Sequence, residues 1–203
     1  MQIDPDTLSN AEAYKLLTGM VVPRPIAWVT SMSGPDMTNA APFSAFTFVS
    51  NKPPMVGISI GRLLGGFKDT ARNIRESKEF VVNIADTPML QQLHMSSAEY
   101  PPDVSEITEL GIELAPSTRI ETPRIAAAPI SMECRLYQML EFGELKSNFY
   151  IGEVVLFHIR DGLSVDGKID TKDLDPIARL GGPNYVDLGD IVTMPTVPVT
   201  VNK

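Results

Sequence analysis

The chain has almost none of the residues that build protein-borne metal or redox centres. There is one cysteine, Cys134, and there are two histidines, His94 and His158, in 203 residues. An internal disulfide is excluded, and a structural zinc site has too few ligands. A lone cysteine reads as a reducing, cytoplasmic setting. No run of apolar residues is long enough to span a bilayer as a helix, and the first ten residues lack the basic and apolar regions of a secretory signal. Basic residues are outnumbered, 17 Lys and Arg against 25 Asp and Glu. A net charge of −8 argues against a nucleic-acid groove or an anionic membrane as the main partner. No G-x-G-x-x-G, Walker lysine or G-x-S-x-G pattern occurs, so nucleotide-fold and serine-hydrolase readings have no support. If this protein moves electrons, a bound organic group must carry them.

What is present is a set of short strand-like segments cut by prolines, with a few helices. Residues 9–17 read as a helix capped by Thr7 or Ser9. Residues 26–31, 38–41, 44–50 and 55–60 read as strands, with Pro42 breaking the second and Ser33 to Asp36 as a turn. The strand at 55–60 has one large face, Val56, Ile58 and Ile60, and one small face, Gly57, Ser59 and Gly61. The small face leaves room for a ligand or another backbone. Helices are predicted over 70–77, 89–97, 104–110 and 173–180, and strands over 80–85, 112–116, 130–138 and 149–160. The proline-spaced tail reads as extended. Length and the absence of a linker fit a single domain over 1–203. The pattern is mainly β and fits a closed or half-open antiparallel barrel with helices packed outside.

Three groups of residues carry the chemistry. Lys68, Thr70 and Asn73 lie at a predicted helix start, with Thr70 at the cap, where free N–H groups bind anions. An ordinary capped surface helix is the commoner meaning of such a stretch. Ser31, Asn39, Ser44 and Thr47 are neutral polar residues in apolar strands, and they need partners if buried. A flat organic ligand or the barrel's own backbone can supply those partners. Arg24 sits between two prolines, placed either to hold an anion or to form an ion pair. Trp28, Phe43, Phe46 and Phe48 read as core, Trp28 only partly. His94 falls in a helix and His158 in a strand. Either can serve as a proton donor, although structural roles are commoner. Cys134 reads as a small buried hydrophobe.

In order, the pieces R24-P-I-A-W-V-T-S31, N39-A-A-P-F-S-A-F46, P53-P-M-V, K68-D-T-A-R-N73, F80-V-V-N83 and A178-R-L-G-G-P-N-Y185 resemble the flavin reductase-like, FMN-binding split-barrel family, in its flavoredoxin-like subgroup. The resemblance implies a six-stranded antiparallel split β-barrel of Greek-key type with flanking helices. It implies a homodimer holding FMN without a covalent bond near the interface. It also implies an oxidoreductase taking electrons from NAD(P)H or a redox protein partner. By the same resemblance, Ser31, Asn39, Ala41, Phe43, Ser44 and Thr47 would line the flavin. Lys68, Thr70 and Asn73 would hold the phosphate end, Arg24 would lie near the cofactor, and Tyr185 would form a lid or ring-side wall. No side-chain nucleophile or base is implied. A non-enzymatic FMN electron carrier and a barrel holding another cofactor remain the alternatives.

Overall fold

The computed structural model describes residues 1–34, 37–63, 66–101 and 104–195. The predicted turn at Pro35 and Asp36, and the tail beyond residue 195, lie outside them.

Helix α1, Asn10–Met20, starts at Ser9, whose hydroxyl accepts from the Glu12 N–H in a reciprocal capping box. It runs three residues past the expected end at residue 17 and buries none of its residues. The strands that follow are β1 (Arg24–Pro25), β2 (Ala27–Met32), β3 (Thr38–Phe43), β4 (Phe46–Asn51) and β5 (Pro54–Ile60). Helix α2, Asp69–Ser77, precedes β6, Glu79–Ile84. Short helices α3 (Leu90–Met95) and α4 (Glu106–Glu109) lead to the long pair β7 (Ile130–Phe142) and β8 (Ser147–Ile159). Where a helix is expected over 173–180, the chain makes one turn, Thr171–Leu174, and then β9, Ala178–Arg179, which pairs with β10, Tyr185–Val186.

Seven strands, one more than expected, form one sheet in the order β3-β2-β6-β7-β8-β5-β4, antiparallel throughout. Its two edges, β3 and β4, are joined by only Ser44 and Ala45. Laid flat, seven strands would put those edges about 29 Å apart. The connection from Phe43 to Phe46 reaches at most about 11 Å. The sheet must therefore curl almost into a barrel. Among the described residues the edges share no ladder, so it stays split. Pro42 does not break β3: its missing N–H is harmless on an edge strand.

Alternation along β2 divides the interior in two. Ala27 and Val29 face a core with Ile58, Phe80 and Tyr150 inside the curl. Ile26 and Trp28 face a second core with Leu93, Ile125 and Ile177. Trp28 is fully buried, more than expected. Phe48, expected to pack, is 75% exposed because β4 lies on the outer edge. The small face of β5 is closed by the protein itself: a Cβ on Gly57 would lie 2.2 Å from the Phe149 ring. The spare room expected there for a ligand is thus taken up by packing.

Two buried polar side chains, Asn83 and Glu133, are paired across the sheet. Asn83 donates to the Trp28 carbonyl and accepts from the Ile125 N–H and the Ser131 hydroxyl. Glu133, fully buried, accepts from the Thr118 and Arg119 N–H groups and lies 2.5 Å from His158 Nε2. Burial alone would raise its pKa, but the His158 and backbone hydrogen bonds outweigh it and hold the carboxyl below its ordinary value.

At Gly152 a Cβ would sit 2.4 Å from Phe80 Cζ, in the fully buried core. Gly152→Ala is expected to cost about 1–3 kcal/mol, the range for overpacking, read from urea unfolding. An unchanged midpoint would show that the strands are looser there than described.

Candidate functional site

Two cavities open along edge strand β3 and meet at Pro42 and Ser97, which line both. The first, about 290 Å³, is bounded by α1, β1 and the β9–β10 hairpin; Arg24, Ser44, Arg179 and Tyr185 line it. The second, about 210 Å³, has Asn39, Ala41, Phe43, Lys68, Thr70 and Glu106 in its walls. Together they have the size of a small-molecule site.

The second cavity contains the start of α2. Lys68, not Thr70, is the N-cap, and no side chain caps the helix. The first-turn N–H groups of this nine-residue helix therefore lack the usual side-chain acceptor. Lys68 forms no ion pair among the described residues, while Asp69 is held by Arg72 at 2.6 Å. An unpaired ammonium beside uncapped N–H donors suits an anion, although Asp69, Glu99 and Glu106 line the same cavity.

Thr70 falls one residue inside the helix and points into the protein. Its hydroxyl donates to Asn39 Oδ1 at 2.8 Å, and Asn39 Nδ2 donates to Glu106 at 2.8 Å. Glu106 also accepts from the Ala40 N–H. This buried chain ties α2 and α4 to β3 and so sets the shape of the second cavity. Burial pushes the Glu106 carboxyl above its ordinary value, against the lowering by its hydrogen bonds to Ala40 and Asn39. Glu106 was not singled out in the sequence; nothing in S-E-I-T-E-L marks one acid as buried.

Arg24 is committed to the backbone. It donates to the carbonyls of Thr18 and Val21 at the end of α1, to Leu180, and to Ser44 Oγ. It shapes the first cavity by holding α1 against the hairpin. Ser31 and Asn73 are buried and pair with each other at 3.2 Å, tying α2 to β2. Thr47 is exposed on β4, with its hydroxyl on the Phe48 carbonyl. None of Ser31, Thr47 and Asn73 lines either cavity.

The sequence reading did not single out Arg179. Register places Arg24 opposite Arg179, and Arg179 opposite Tyr185, so the three stand in a row across a small sheet. The Arg179 guanidinium lies 4.4 Å from the Tyr185 ring centroid and donates to its hydroxyl. His94 Nδ1 is 2.9 Å from the same oxygen.

The flavin reductase-like domain model matches residues 19–171. The chain belongs to the flavin reductase-like domain family. Nitrilotriacetate monooxygenase component B from Bacillus cereus is 37% identical, with 96% of this chain and 98% of that one covered and a TM-score of 0.92. The 2-nitrobenzoate 2-nitroreductase NbaA from Pseudomonas fluorescens is also 37% identical, covering 100% and 99%, at 0.87. A Shewanella frigidimarina protein with a split barrel domain, 19% identical over 97% and 100%, superposes at 0.84. Flavoredoxins and an FMN-binding protein from Thermus thermophilus share the fold at 20% identity or below. The architecture expected of this flavin reductase-like chain, antiparallel and mainly β with flanking helices, is the one observed.

The Glu106 shift gives a pH test. A carboxyl with a raised folded value loses its proton earlier when unfolded. Its contribution is therefore most favourable below the ordinary carboxylate range and declines as pH rises through the raised value. Glu106→Gln removes that decline. The stability difference between wild type and variant should shift in the variant's favour from pH 4 toward neutrality, read from urea midpoints. A difference independent of pH would place the carboxyl in water.

Proposed function

We propose that the protein is an FMN-dependent oxidoreductase. The observation that carries this reading is the uncapped start of α2 beside unpaired Lys68, in a cavity that shares Pro42 and Ser97 with a second, larger one. A phosphate suits the first feature, and a flat ring suits the stretch at Pro42, Ser44 and Ser97 where the two adjoin, which leaves the Tyr185 end of the larger cavity free. FMN has one of each, and family membership supports a flavin. Lys68 and the first-turn N–H groups of α2 would hold the phosphate. Ala41, Pro42, Phe43 and Ser44 would line the path between the cavities. Asn39 and Thr70 would fix the strand and the helix relative to each other, and Ser31 and Asn73 would support them from beneath. When bound, FMN supplies hydride or electron transfer; the chain's own groups position it and exclude water.

NAD(P)H or a reduced protein is the proposed donor, and a flavin, oxygen, small organic molecule or protein the acceptor. A homodimer is the proposed assembly, supported by the unburied apolar side chains Tyr14, Leu17 and Met20 of α1 and Phe48 and Val49 of β4. Thr47, on the same exposed strand, would then reach a flavin only across the subunit boundary. A cytoplasmic setting is consistent with the single buried cysteine, whose thiol burial pushes up and keeps protonated.

The purified protein with added FMN should show bound-flavin absorption bands that bleach with NAD(P)H in the absence of oxygen. Bands that persist with NAD(P)H but bleach with a reduced protein would mark an electron carrier, and failure to bind FMN would refute the reading. Asn39→Ala should weaken FMN binding by roughly tenfold or more, through loss of its hydrogen bonds to Thr70 and Glu106. Single-turnover reduction of the flavin that does bind should be unchanged. Unchanged affinity with abolished reduction would assign Asn39 to the chemistry instead.

A further inference from the structure

The first cavity has a donor end that flavin binding leaves unexplained. Tyr185 lines it, and the phenolic oxygen already has two neighbours: Arg179 donates to it, and His94 Nδ1 lies 2.9 Å away. The imidazole crosses the ring edge-on, at 88° and 5.6 Å between centroids. His94 is itself exposed and lines neither cavity. It therefore stands between solvent and the buried side of Tyr185.

A phenol has one hydrogen and two acceptor sites. When His94 is neutral with Nδ1 bare, the phenolic hydrogen goes to His94. When His94 is protonated, Nδ1–H donates to the oxygen. With Arg179 also donating, both acceptor sites are then filled, and the phenolic hydrogen is left free for an acceptor in the cavity that Tyr185 lines. We propose that Tyr185 is a catalytic proton donor to an acceptor bound in this cavity, and that His94 is the positioning residue that turns the hydroxyl toward it.

The proposal rests on the flavin reading for its electron pair and names the acceptor's class. The walls beside Tyr185 are Tyr14, Ile26, Pro42 and Leu93, flat or apolar, with the donors at one end. A flat ring carrying carbonyl oxygens, of quinone type, fits this lining. A hydride adds to one quinone oxygen, both C=O bonds become C–O, and the ring becomes aromatic. The far oxygen takes the proton of Tyr185. The phenolate left behind faces Arg179 and takes a proton from His94, which recovers one from solvent.

Arg179 can stabilise that phenolate because it has no carboxylate partner among the described residues. Burial, opposed by Arg179, keeps the phenol's pKa above its ordinary value, so it holds its proton at neutral pH. The other titratable groups around Tyr185 are Arg24 on β1 and Tyr14 on α1 across the cavity, and Asp187 in the shallow cavity on its other side.

Two measurements test the pair. In flavin-free protein the His94 imidazole is followed by NMR; it is one of two histidines and is assigned by its disappearance in His94→Gln. Its titration midpoint should move in Tyr185→Phe. An unchanged midpoint overturns the switch whether or not FMN binds. In FMN-saturated protein, reduction of 1,4-benzoquinone is compared with reduction of ferricyanide, which takes electrons without a proton. The quinone-to-ferricyanide rate ratio cancels any change in flavin occupancy. Tyr185→Phe should lower it at least about tenfold, a modest share of the usual 10²–10⁴ for general acids. In wild type the ratio should fall as rising pH removes the imidazolium proton, and His94→Gln should abolish that dependence. A ratio that keeps its wild-type value and pH profile in Tyr185→Phe overturns the proposal.

Discussion

The two-residue link between β3 and β4 constrains everything else. Ser44 and Ala45 cannot bridge the width of a flat seven-stranded sheet, so the sheet has to curl. The Ala45 carbonyl accepts from the Ser59 N–H of β5, fixing the corner at 2.8 Å. Curling creates an enclosed core and leaves β3 as a free lip. Both cavities lie along that lip, and α2 and the β9–β10 hairpin close over it from either side. The place where the barrel fails to close is thus the place where a ligand can enter.

Polar side chains then fix what the curl leaves loose. Asn39 joins Thr70 of α2 to Glu106 of α4, and Asn73 joins α2 to Ser31. Arg24 gathers the end of α1 and the Leu180 carbonyl. Each is a polar group among apolar neighbours, costly if unpaired and directional when paired. The uncapped start of α2 is held at the cavity by these bonds rather than by its own cap. Its first-turn N–H groups have no side-chain acceptor because the N-cap residue is Lys68, whose ammonium only donates, while Thr70, inside the helix, is turned inward to Asn39.

Much of the fold was legible because alternation survives in the sequence. β2, β5, β6 and the long β7–β8 pair lie where apolar periodicity puts them, within a few residues. Pro42 misled because proline breaks an interior strand but not an edge, and edges are set by topology. Phe48 misled for the same reason. Gly57 pointed to room for a ligand, and only the structure shows the Phe149 ring there. At the site, the polar residues read from the sequence cluster except for Thr47, which lies exposed on β4, and Ser31, Asn73 and Thr70 support the walls more than they face the cavity. Arg179 became visible only through strand register, and Glu106 only through burial. Neither has a local sequence signal.

The central claim is that the start of α2, with Lys68, is built for the phosphate of a flavin mononucleotide. Comparing the affinity of the flavin-free protein for FMN and for riboflavin, which has the same ring and ribityl chain without phosphate, tests it most directly. FMN should bind more tightly by at least roughly tenfold, the least expected from one charge-assisted hydrogen bond. Lys68→Ala should remove much of that difference while leaving riboflavin binding unchanged. Equal affinity for the two flavins in the wild-type protein would contradict the account.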